Sequence, residues 1–257
     1  MLVVLSPAKK LDFESPLPAI LPHSKPAMLK SASELIEVAR SLSHSQLGGL
    51  MKISDKLVEE NRQRYQNFST PFTRKNARPA ALAFIGDTYL GFDVRSLTAD
   101  EHKYAQEHLR ILSGLYGLLR PFDLIQPYRL EMGIKLKTNK SNNLYEFWGD
   151  KITNSLNKSL TATNSKFLLN CASNEYIKAV QSSSLKAELI TPVFKQVKNG
   201  EARMLGMMAK RARGAMARFV VDNKINKPAD LKAFNFDGYR YKASLSNATT
   251  YEFHRKA

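Results

Sequence analysis

Residues 108–133 read HLRILSGLYGLLRPFDLIQPYRLEMG, and the other elements of the chain are predicted to be arranged around this segment. Its leucines recur at helical spacing, at Leu109, Leu112, Leu115 and Leu119. Gly114 and Gly117 interrupt that pattern, and each glycine costs about 1 kcal/mol relative to alanine inside a helix. Pro121 and Pro127 exclude helix from the segment that follows. We therefore predict two short helices joined by a hairpin, followed by a turn.

Several charged residues lie among the apolar ones of this segment, among them Arg110, Arg120, Arg129 and Glu131. One interpretation is that the arginines brace loops. The other is that they hold a phosphate together with backbone N–H groups, which glycine leaves accessible to an anion. Residues 114–117 are similar to the turn of a helix-hairpin-helix DNA-binding motif, although that motif usually spaces its glycines by two positions and these are three apart.

The charge of the chain is strongly positive. Its 257 residues include 39 Lys and Arg against 23 Asp and Glu, which gives a formal net charge of +16 and a sequence pI near 9.8. Apolar residues make up 43% of the chain, enough for a substantial core. An excess of cations favours a polyanionic partner, above all a nucleic acid, through counterion release.

Cys171 is the only cysteine in the sequence, so no disulfide framework exists within the chain. An exposed thiolate at this position could sense an oxidant, whereas a cysteine after a buried strand usually serves as a small apolar residue. The first residues lack the basic leader and apolar region of a signal peptide. No apolar run approaches the roughly 20 residues that span a bilayer. We expect a cytoplasmic protein without a membrane partner.

Polar side chains follow three predicted buried strands, at residues 2–5, 80–85 and 166–170. Lys9 follows the first strand, Asp87 the second, and Asn170, Ser173 and Glu175 the third. Ligands of open α/β sheets usually bind at the carboxyl ends of the strands, which predicts a crevice there. The alternatives are a solvated turn for Lys9 and a helix cap for Asp87. The candidate catalytic residues in this crevice are Lys9, Asp87, Glu131, Ser173 and Glu175.

The predicted fold is a mixed α/β fold in a single domain over residues 1–257. It has a central mixed sheet, surrounding helices and a basic cleft. Local patterns predict its further elements. Thr98 and Glu101 form a capping-box pattern that begins a helix at 98–112. Asn199-Gly200 between apolar runs predicts a β-hairpin. Helices are also predicted at 31–43, 45–64 and 151–160, a loop at 15–26 and a terminal β-hairpin at 235–255.

The most basic helical face in the chain is predicted at residues 209–223. The helix carries Lys210, Arg211, Arg213 and Arg218, and Lys210, Arg213 and Arg218 are predicted to share that face. A solvated helix face would normally interleave acids with these cations, and none occurs between Glu201 and Asp222. This helix is therefore the strongest candidate for contacts with phosphates.

Several longer motifs of the chain resemble, in the same order, those of the YaaA peroxide-stress family. They are SPAKK at 6–10, MKISDK at 51–56, FIGD at 84–87, LSGLYGLLRP at 112–121, QPYRLEMG at 126–133, FWGD at 147–150, NCAS at 170–173 and AKRARG at 209–214. The resemblance covers the chain from residue 1 to about 254. It implies resistance to hydrogen peroxide, limitation of free intracellular iron, and DNA binding in a basic cleft on an unusual α/β fold.

The sequence shows no pattern typical of a metal or cofactor site. The five histidines lack carboxylate or cysteine neighbours at ligand spacing, so no metal is predicted, and there is no phosphate-loop or dinucleotide fingerprint. We expect no cofactor and a monomer.

Two functional hypotheses remain, and pure scaffolding ranks below both. The first is a DNA-binding protein of the peroxide response that contacts duplex or structured DNA without reading its sequence. Its candidate contacts are Lys9, Arg110, Gly114, Gly117, Arg120, Arg129, Lys210, Arg211, Arg213 and Arg218. The second is an enzyme that acts on a small anionic or nucleotide-like ligand in the crevice at the strand ends.

Overall fold

The computed structural model describes residues 1–18 and 21–257. Its strands are β1 Leu2–Leu5, β2 Lys10–Leu11, β3 Arg78–Pro79, β4 Phe84–Ile85, β5 Leu109–Ser113, β6 Gly117–Leu119, β7 Leu124–Ile125, β8 Phe167–Cys171, β9 Glu188–Lys198, β10 Glu201–Arg203, β11 Arg240–Tyr241 and β12 Thr250–Lys256. Its α-helices are α1 Leu29–Ser41, α2 His44–Met51, α3 Asp55–Asn67, α4 Ala80–Ala83, α5 Asp87–Phe92, α6 Ala99–His108, α7 Leu144–Trp148, α8 Lys151–Ala162, α9 Asn174–Ile177 and α10 Gly206–Asp222. Short 3₁₀ helices lie at Val94–Ser96, Ser182–Ser184, Pro228–Ala233, Phe236–Gly238 and Ala243–Leu245.

The main sheet has eight strands in the order β11-β12-β9-β8-β1-β5-β6, with β10 pairing to β9. The five consecutive strands from β12 to β5 are parallel, and β6, β10 and β11 pair with their neighbours antiparallel. The central strand β1 is buried along its whole length, as an aliphatic strand inside a parallel sheet must be. The fold is therefore mixed α/β with a central mixed sheet, as predicted, and its buried apolar residues form one continuous core.

The segment that was predicted to form two short helices is instead a β-hairpin. Helix α6 ends at His108, and β5 and β6 pair in the register Ile111 with Leu119 and Ser113 with Gly117. All five residues of β5 are buried. A short apolar run has no periodicity that separates a buried helix from a buried strand, and here pairing with β1 favours the strand.

The predicted strand at 80–85 is wrong in its first half. Residues 80–83 form the single-turn helix α4, and only Phe84 and Ile85 are extended. Strand β4 does not join the main sheet, because it pairs antiparallel with β2. This pairing sets Ile85 opposite Lys10 and so carries Asp87 to the end of β1.

Helices α2 and α3 are joined by three residues, Lys52, Ile53 and Ser54. Lys52 has left-handed backbone angles and its N–H donates to the Gly48 carbonyl, which ends α2. Ser54 occupies the N-cap position of α3, yet its side chain makes no capping hydrogen bond. These two helices confirm the prediction for residues 45–64. They form a helical hairpin, which the sequence predicts instead within residues 108–133.

Most other predicted elements are confirmed. The capping box at Thr98 and Glu101 begins α6, and Asn199 and Gly200, both with positive φ, form the turn between β9 and β10. In the loop predicted at 15–26, residues 19 and 20 lie outside the described residues. Within the described ranges, no helix combines the length and the apolar character needed to cross a bilayer.

Candidate functional site

A cavity of about 460 Å³ opens where the carboxyl ends of β1 and β8 meet. These neighbouring parallel strands end in register at Leu5 and Cys171. The residues that follow them are held together, because the backbone N–H of Ser173 donates to Oγ of Ser6 at 2.8 Å. The cavity therefore lies where ligands of parallel sheets usually bind.

The cavity brings together all five candidate catalytic residues: Lys9, Asp87, Glu131, Ser173 and Glu175. Four of the cations predicted to contact nucleic acid also line it: Lys9, Arg129, Lys210 and Arg213. The two residue sets that the sequence assigned to competing functions therefore share one site.

Glu131 is the most constrained carboxylate of the cavity. Its Oε1 lies 3.0 Å from Nζ of Lys9 and 3.2 Å from Nη2 of Arg129, and it accepts a hydrogen bond from Nε of Arg129 at 3.2 Å. Its Oε2 is buried without a hydrogen-bond partner among the described residues. A buried acceptor that lacks a donor costs free energy, so a ligand that donates a hydrogen bond would be stabilised here.

Gly114 explains how Glu131 reaches the sheet. A Cβ on Gly114 would lie 2.2 Å from the carbonyl oxygen of Leu130, so only glycine lets residues 130–131 lie against the end of β5. Trp148 fixes the same point, because its indole N–H donates to the Gly114 carbonyl at 2.9 Å.

Lys210 and Arg213 enter the cavity from one face of α10. Within residues 1–18 and 21–257, neither forms a salt bridge. Arg213 is half-buried, and its burial lowers the pKa of the guanidinium. Neither of these two neighbouring cations is therefore neutralised by an acidic side chain of the described residues.

The remaining carboxylates of the cavity differ in their contacts. Glu175 is fixed by the Gly133 N–H, which donates to its Oε1 at 2.9 Å. Asp87 begins α5 and makes no ion pair with a described residue of the chain. Ser173 has Ser6 as its side-chain neighbour at 3.4 Å, and no histidine is among the lining residues, so the cavity offers Ser173 no general base of the kind found in serine hydrolases.

Cys171 lies at the bottom of this region and is 1% exposed. Burial raises the pKa of its thiol to about 12. The thiol is therefore protonated at neutral pH, and only the thiolate reacts readily with peroxide. The geometry favours the small apolar role for Cys171 over the sensing role.

Six residues predicted to contact nucleic acid lie outside the cavity, and four of them belong to other elements than α10. Arg110 is buried and donates to the carbonyls of Gln106 and Leu109, and its Nε donates to Ser159 of α8. Gly114 and Gly117 are buried in the hairpin, and a Cβ on Gly117 would lie 2.7 Å from the Trp148 ring. These three residues are buried against other parts of the chain and do not face the cavity. The other residue, Arg120, pairs with Asp123 and donates to the Lys25 carbonyl, which is the loop-bracing alternative.

The other two arginines of α10 also point away from the cavity. Arg218 pairs with Asp222 and donates to the Asp93 carbonyl, so it ties α10 to the loop after α5. The guanidinium of Arg211 lies 5.9 Å from the centre of the Phe236 ring. Helical spacing predicts Arg218 on the same face as Arg213, and the packing of α10 separates the two.

Sequence reasoning missed two features of this region. Ser6 was quoted only as part of a motif, although its position directly after β1 was the available signal. The α2–α3 hairpin was predicted as helices without a function. It adjoins the site because the Tyr65 hydroxyl of α3 donates to the Arg129 carbonyl. The same hydroxyl lies 3.9 Å from the Met51 sulfur of α2. Within the described residues, no group of three His, Cys, Asp or Glu side chains is arranged to hold a metal ion.

Comparison with known proteins places these features in a family. The family model described as "Peroxide stress protein YaaA" matches residues 1–245. A UPF0246 protein of Aliivibrio fischeri is 51% identical over 256 residues, covering 100% of this chain and 98% of its own length. UPF0246 proteins of Saccharophagus degradans and Alteromonas mediterranea are 48% and 53% identical, and the matches cover 100% and 97% of this chain and 100% and 96% of theirs.

Proposed function

This chain belongs to the peroxide stress protein YaaA family, and we propose that it binds DNA through phosphates as part of the hydrogen peroxide response. Bound along a duplex, it would help to limit the iron-dependent oxidative damage that peroxide causes. The proposed location is the cytoplasm, where such DNA would be met, and the proposed active form is a monomer.

The observation that carries this proposal is the group of four cations around one cavity: Lys9, Arg129, Lys210 and Arg213. Lys9 and Arg129 are partly neutralised by Glu131, whereas Lys210 and Arg213 form no ion pair with a described residue. A net charge of +16 adds long-range attraction for a polyanion. Phosphates crossing the mouth of the cavity would release counterions and bind without reading bases.

The α2–α3 hairpin provides a second point of support. The first N–H groups of a helix lack intrahelical partners, and at α3 the Ser54 side chain leaves them uncapped. Lys52 and Lys56 are exposed on either side of this helix start. Free N–H groups at the start of a helix can bind phosphate, and nearby lysines add attraction for it. Asp55 in the first turn opposes this attraction, so we rank the hairpin below the cavity.

The test is fluorescence anisotropy with short duplex, single-stranded and junction DNAs across a salt series. We expect log K to fall with log salt by about 0.9 for each phosphate contacted in a duplex. Lys210→Glu and Arg213→Glu should weaken binding and each reduce the salt slope by about 1. Arg203→Glu is the matched control, because Arg203 is exposed, lies outside the cavity and undergoes the same change of charge.

Two results would contradict the proposal. One is an affinity that stays flat between low and physiological salt. The other is an equal loss of affinity in Arg203→Glu and Lys210→Glu, which would assign binding to overall charge and not to the cavity. Circular dichroism of each variant separates loss of binding from loss of folding.

An enzyme acting on a small anionic substrate is the second candidate. The convergence of Lys9, Asp87, Glu131, Ser173 and Glu175 on a cavity of about 460 Å³ favours it, because that volume is typical of small-molecule sites. Phosphate binding to a duplex requires no such group of carboxylates. Turnover of a nucleotide or phosphate ester that disappears in Glu131→Gln would support this candidate over simple DNA binding.

A further inference from the structure

Two kinds of unsatisfied group belong to the residues that line the cavity. Lys210 and Arg213 lack acidic partners among the described residues, and Oε2 of Glu131 is buried without a donor. Lys210 and Arg213 would be neutralised by an anion, and Oε2 of Glu131 would be satisfied by a hydrogen-bond donor. A ligand that supplies both would satisfy groups that the folded chain leaves unpaired.

The cationic pair fits a phosphate better than a carboxylate. Arg213 presents a planar fork that matches two phosphate oxygens, and Lys210 lies one turn away on the same face of α10. Two cations match the double negative charge of a phosphate monoester. Asp87 also lines the cavity and opposes an anion, so its charge should weaken binding.

The acceptor at Glu131 fits a neutral donor better than an ammonium group. Oε1 already receives Lys9 and Arg129, and these two positive charges outweigh the single negative charge of the carboxylate. A third cation at Oε2 would be repelled. A neutral N–H group, such as those on the edges of nucleobases, can donate to Oε2 without that cost.

The remaining walls of the cavity suit a ring. Pro7, Ala8, Ile85 and Leu130 supply apolar surface between the charged groups. The volume of about 460 Å³ lies within the roughly 300–1,000 Å³ of small-molecule pockets, so it admits a single nucleotide, and a duplex can lie only across its mouth.

We propose that this cavity binds one nucleoside monophosphate group, with its phosphate on Lys210 and Arg213 and a base N–H on Oε2 of Glu131. This goes beyond DNA binding through phosphates, because a free nucleotide would fill the site without any strand. Where the nucleotide is an unpaired residue of a strand, the inference rests on the proposed function.

The test is isothermal titration calorimetry of the full chain with the common nucleoside 5′-monophosphates, the matching nucleosides and inorganic phosphate. We expect one-to-one binding of at least one monophosphate, at least tenfold tighter than its nucleoside or phosphate alone. Arg213→Gln should remove most of the advantage of the monophosphate over the nucleoside. Glu131→Gln should weaken the binding of the monophosphate at least tenfold and leave the binding of inorganic phosphate unchanged. The reason is that the amide N–H₂ cannot accept a hydrogen bond from the base.

Matched controls keep the test specific. Arg203→Gln and Glu59→Gln change the same residue types at exposed positions outside the cavity and should leave the titrations unchanged. Asp87→Asn should tighten the binding of the monophosphate, because it removes a like charge. Thermal unfolding of each variant identifies any change that acts through folding.

A parallel arm identifies the source of the nucleotide. Duplexes with and without one unpaired nucleotide are compared by anisotropy. A preference for the unpaired nucleotide that Glu131→Gln abolishes assigns the site to a strand, even if no free monophosphate binds. The inference is overturned if neither arm responds, or if inorganic phosphate binds as tightly as every monophosphate. If the inference is overturned but duplex binding depends on salt, the proposed DNA binding still stands. If a monophosphate binds and duplex DNA does not, the proposed DNA binding is removed and the nucleotide site remains.

Discussion

The backbone of Gly214 in α10 lies directly against the Thr88 carbonyl in α5, and a Cβ on Gly214 would be 1.8 Å from that oxygen. Gly91 meets α10 in the same way, with a Cβ position 2.0 Å from the Arg211 carbonyl. The two helices therefore cross in backbone contact. Because Arg213 precedes Gly214 directly, this crossing fixes the position of the cationic pair beside Asp87.

Gly214→Ala should push α10 away from α5 and disturb the cavity. Overpacking of this kind costs about 1–3 kcal/mol or more, since the clash is with backbone and not with a flexible side chain. We expect a lower melting temperature and weaker DNA binding in the fraction that folds. Gly206→Ala in the same helix is the control, because no atom lies within 4 Å of its Cβ position, and equal losses in the two variants would contradict the prediction.

Arg110→Met should lower stability without changing DNA affinity. Burial lowers the pKa of Arg110 to about 10, and the side chain holds two backbone carbonyls and Ser159. Removing these donors leaves buried acceptors unpaired, at about 1–3 kcal/mol for each. Urea unfolding measures the loss. An unchanged midpoint together with a reduced salt slope of binding would restore the phosphate-contact hypothesis for Arg110.

Cys171 should resist peroxide in the folded protein. Its thiol has a pKa of about 12 and almost no exposure, so the reactive thiolate is scarce. We expect negligible oxidation by mass spectrometry after treatment with hydrogen peroxide, and fast labelling by a thiol reagent only in denaturant. Rapid formation of sulfenic acid in the native protein would contradict this and reopen a sensing role.

Asp12 should stabilise the protein in a pH-dependent way. Hydrogen bonds from Ser15, then Glu14, and the nearby charge of Arg78 lower the pKa of its carboxyl from 3.8 to about 2. A carboxyl with a lower pKa in the folded state stabilises fully above its ordinary pKa, and the contribution is lost as pH falls toward 2. Because solvent screens such pairs, Asp12→Asn should lower the free energy of unfolding by only about 1 kcal/mol at pH 7.

The difference in stability between Asp12→Asn and the natural chain should narrow as pH falls from about 5 to 3, since protonation of Asp12 in the natural chain then removes the charge that the variant already lacks. Thermal unfolding across this range measures it. Glu14→Gln, two residues along the same loop, is the control for removing an acidic side chain at this place. A constant difference at every pH would indicate that Asp12 acts through packing alone.

The sequence by itself determined the elements whose signals are local. The capping box at Thr98, the Asn199-Gly200 turn and the basic helix α10 each depend on a few neighbouring residues, and all are present. The strand ends after Leu5 and Cys171 could also be predicted, because aliphatic runs followed by polar residues are typical of a parallel sheet. These features were enough to predict a crevice and most of its polar lining.

Only the tertiary structure decided which side chains meet. Residues 109–113 and 117–119 are strands because β5 pairs with β1 and β6 with β5, which helical leucine spacing cannot reveal. Glu131 reaches Lys9 because Gly114 admits its backbone, and Asp87 reaches them through the pairing of β2 with β4. Whether an arginine braces the core or faces a cavity depends on packing between segments far apart in the chain, and local residue patterns carry no information on such contacts.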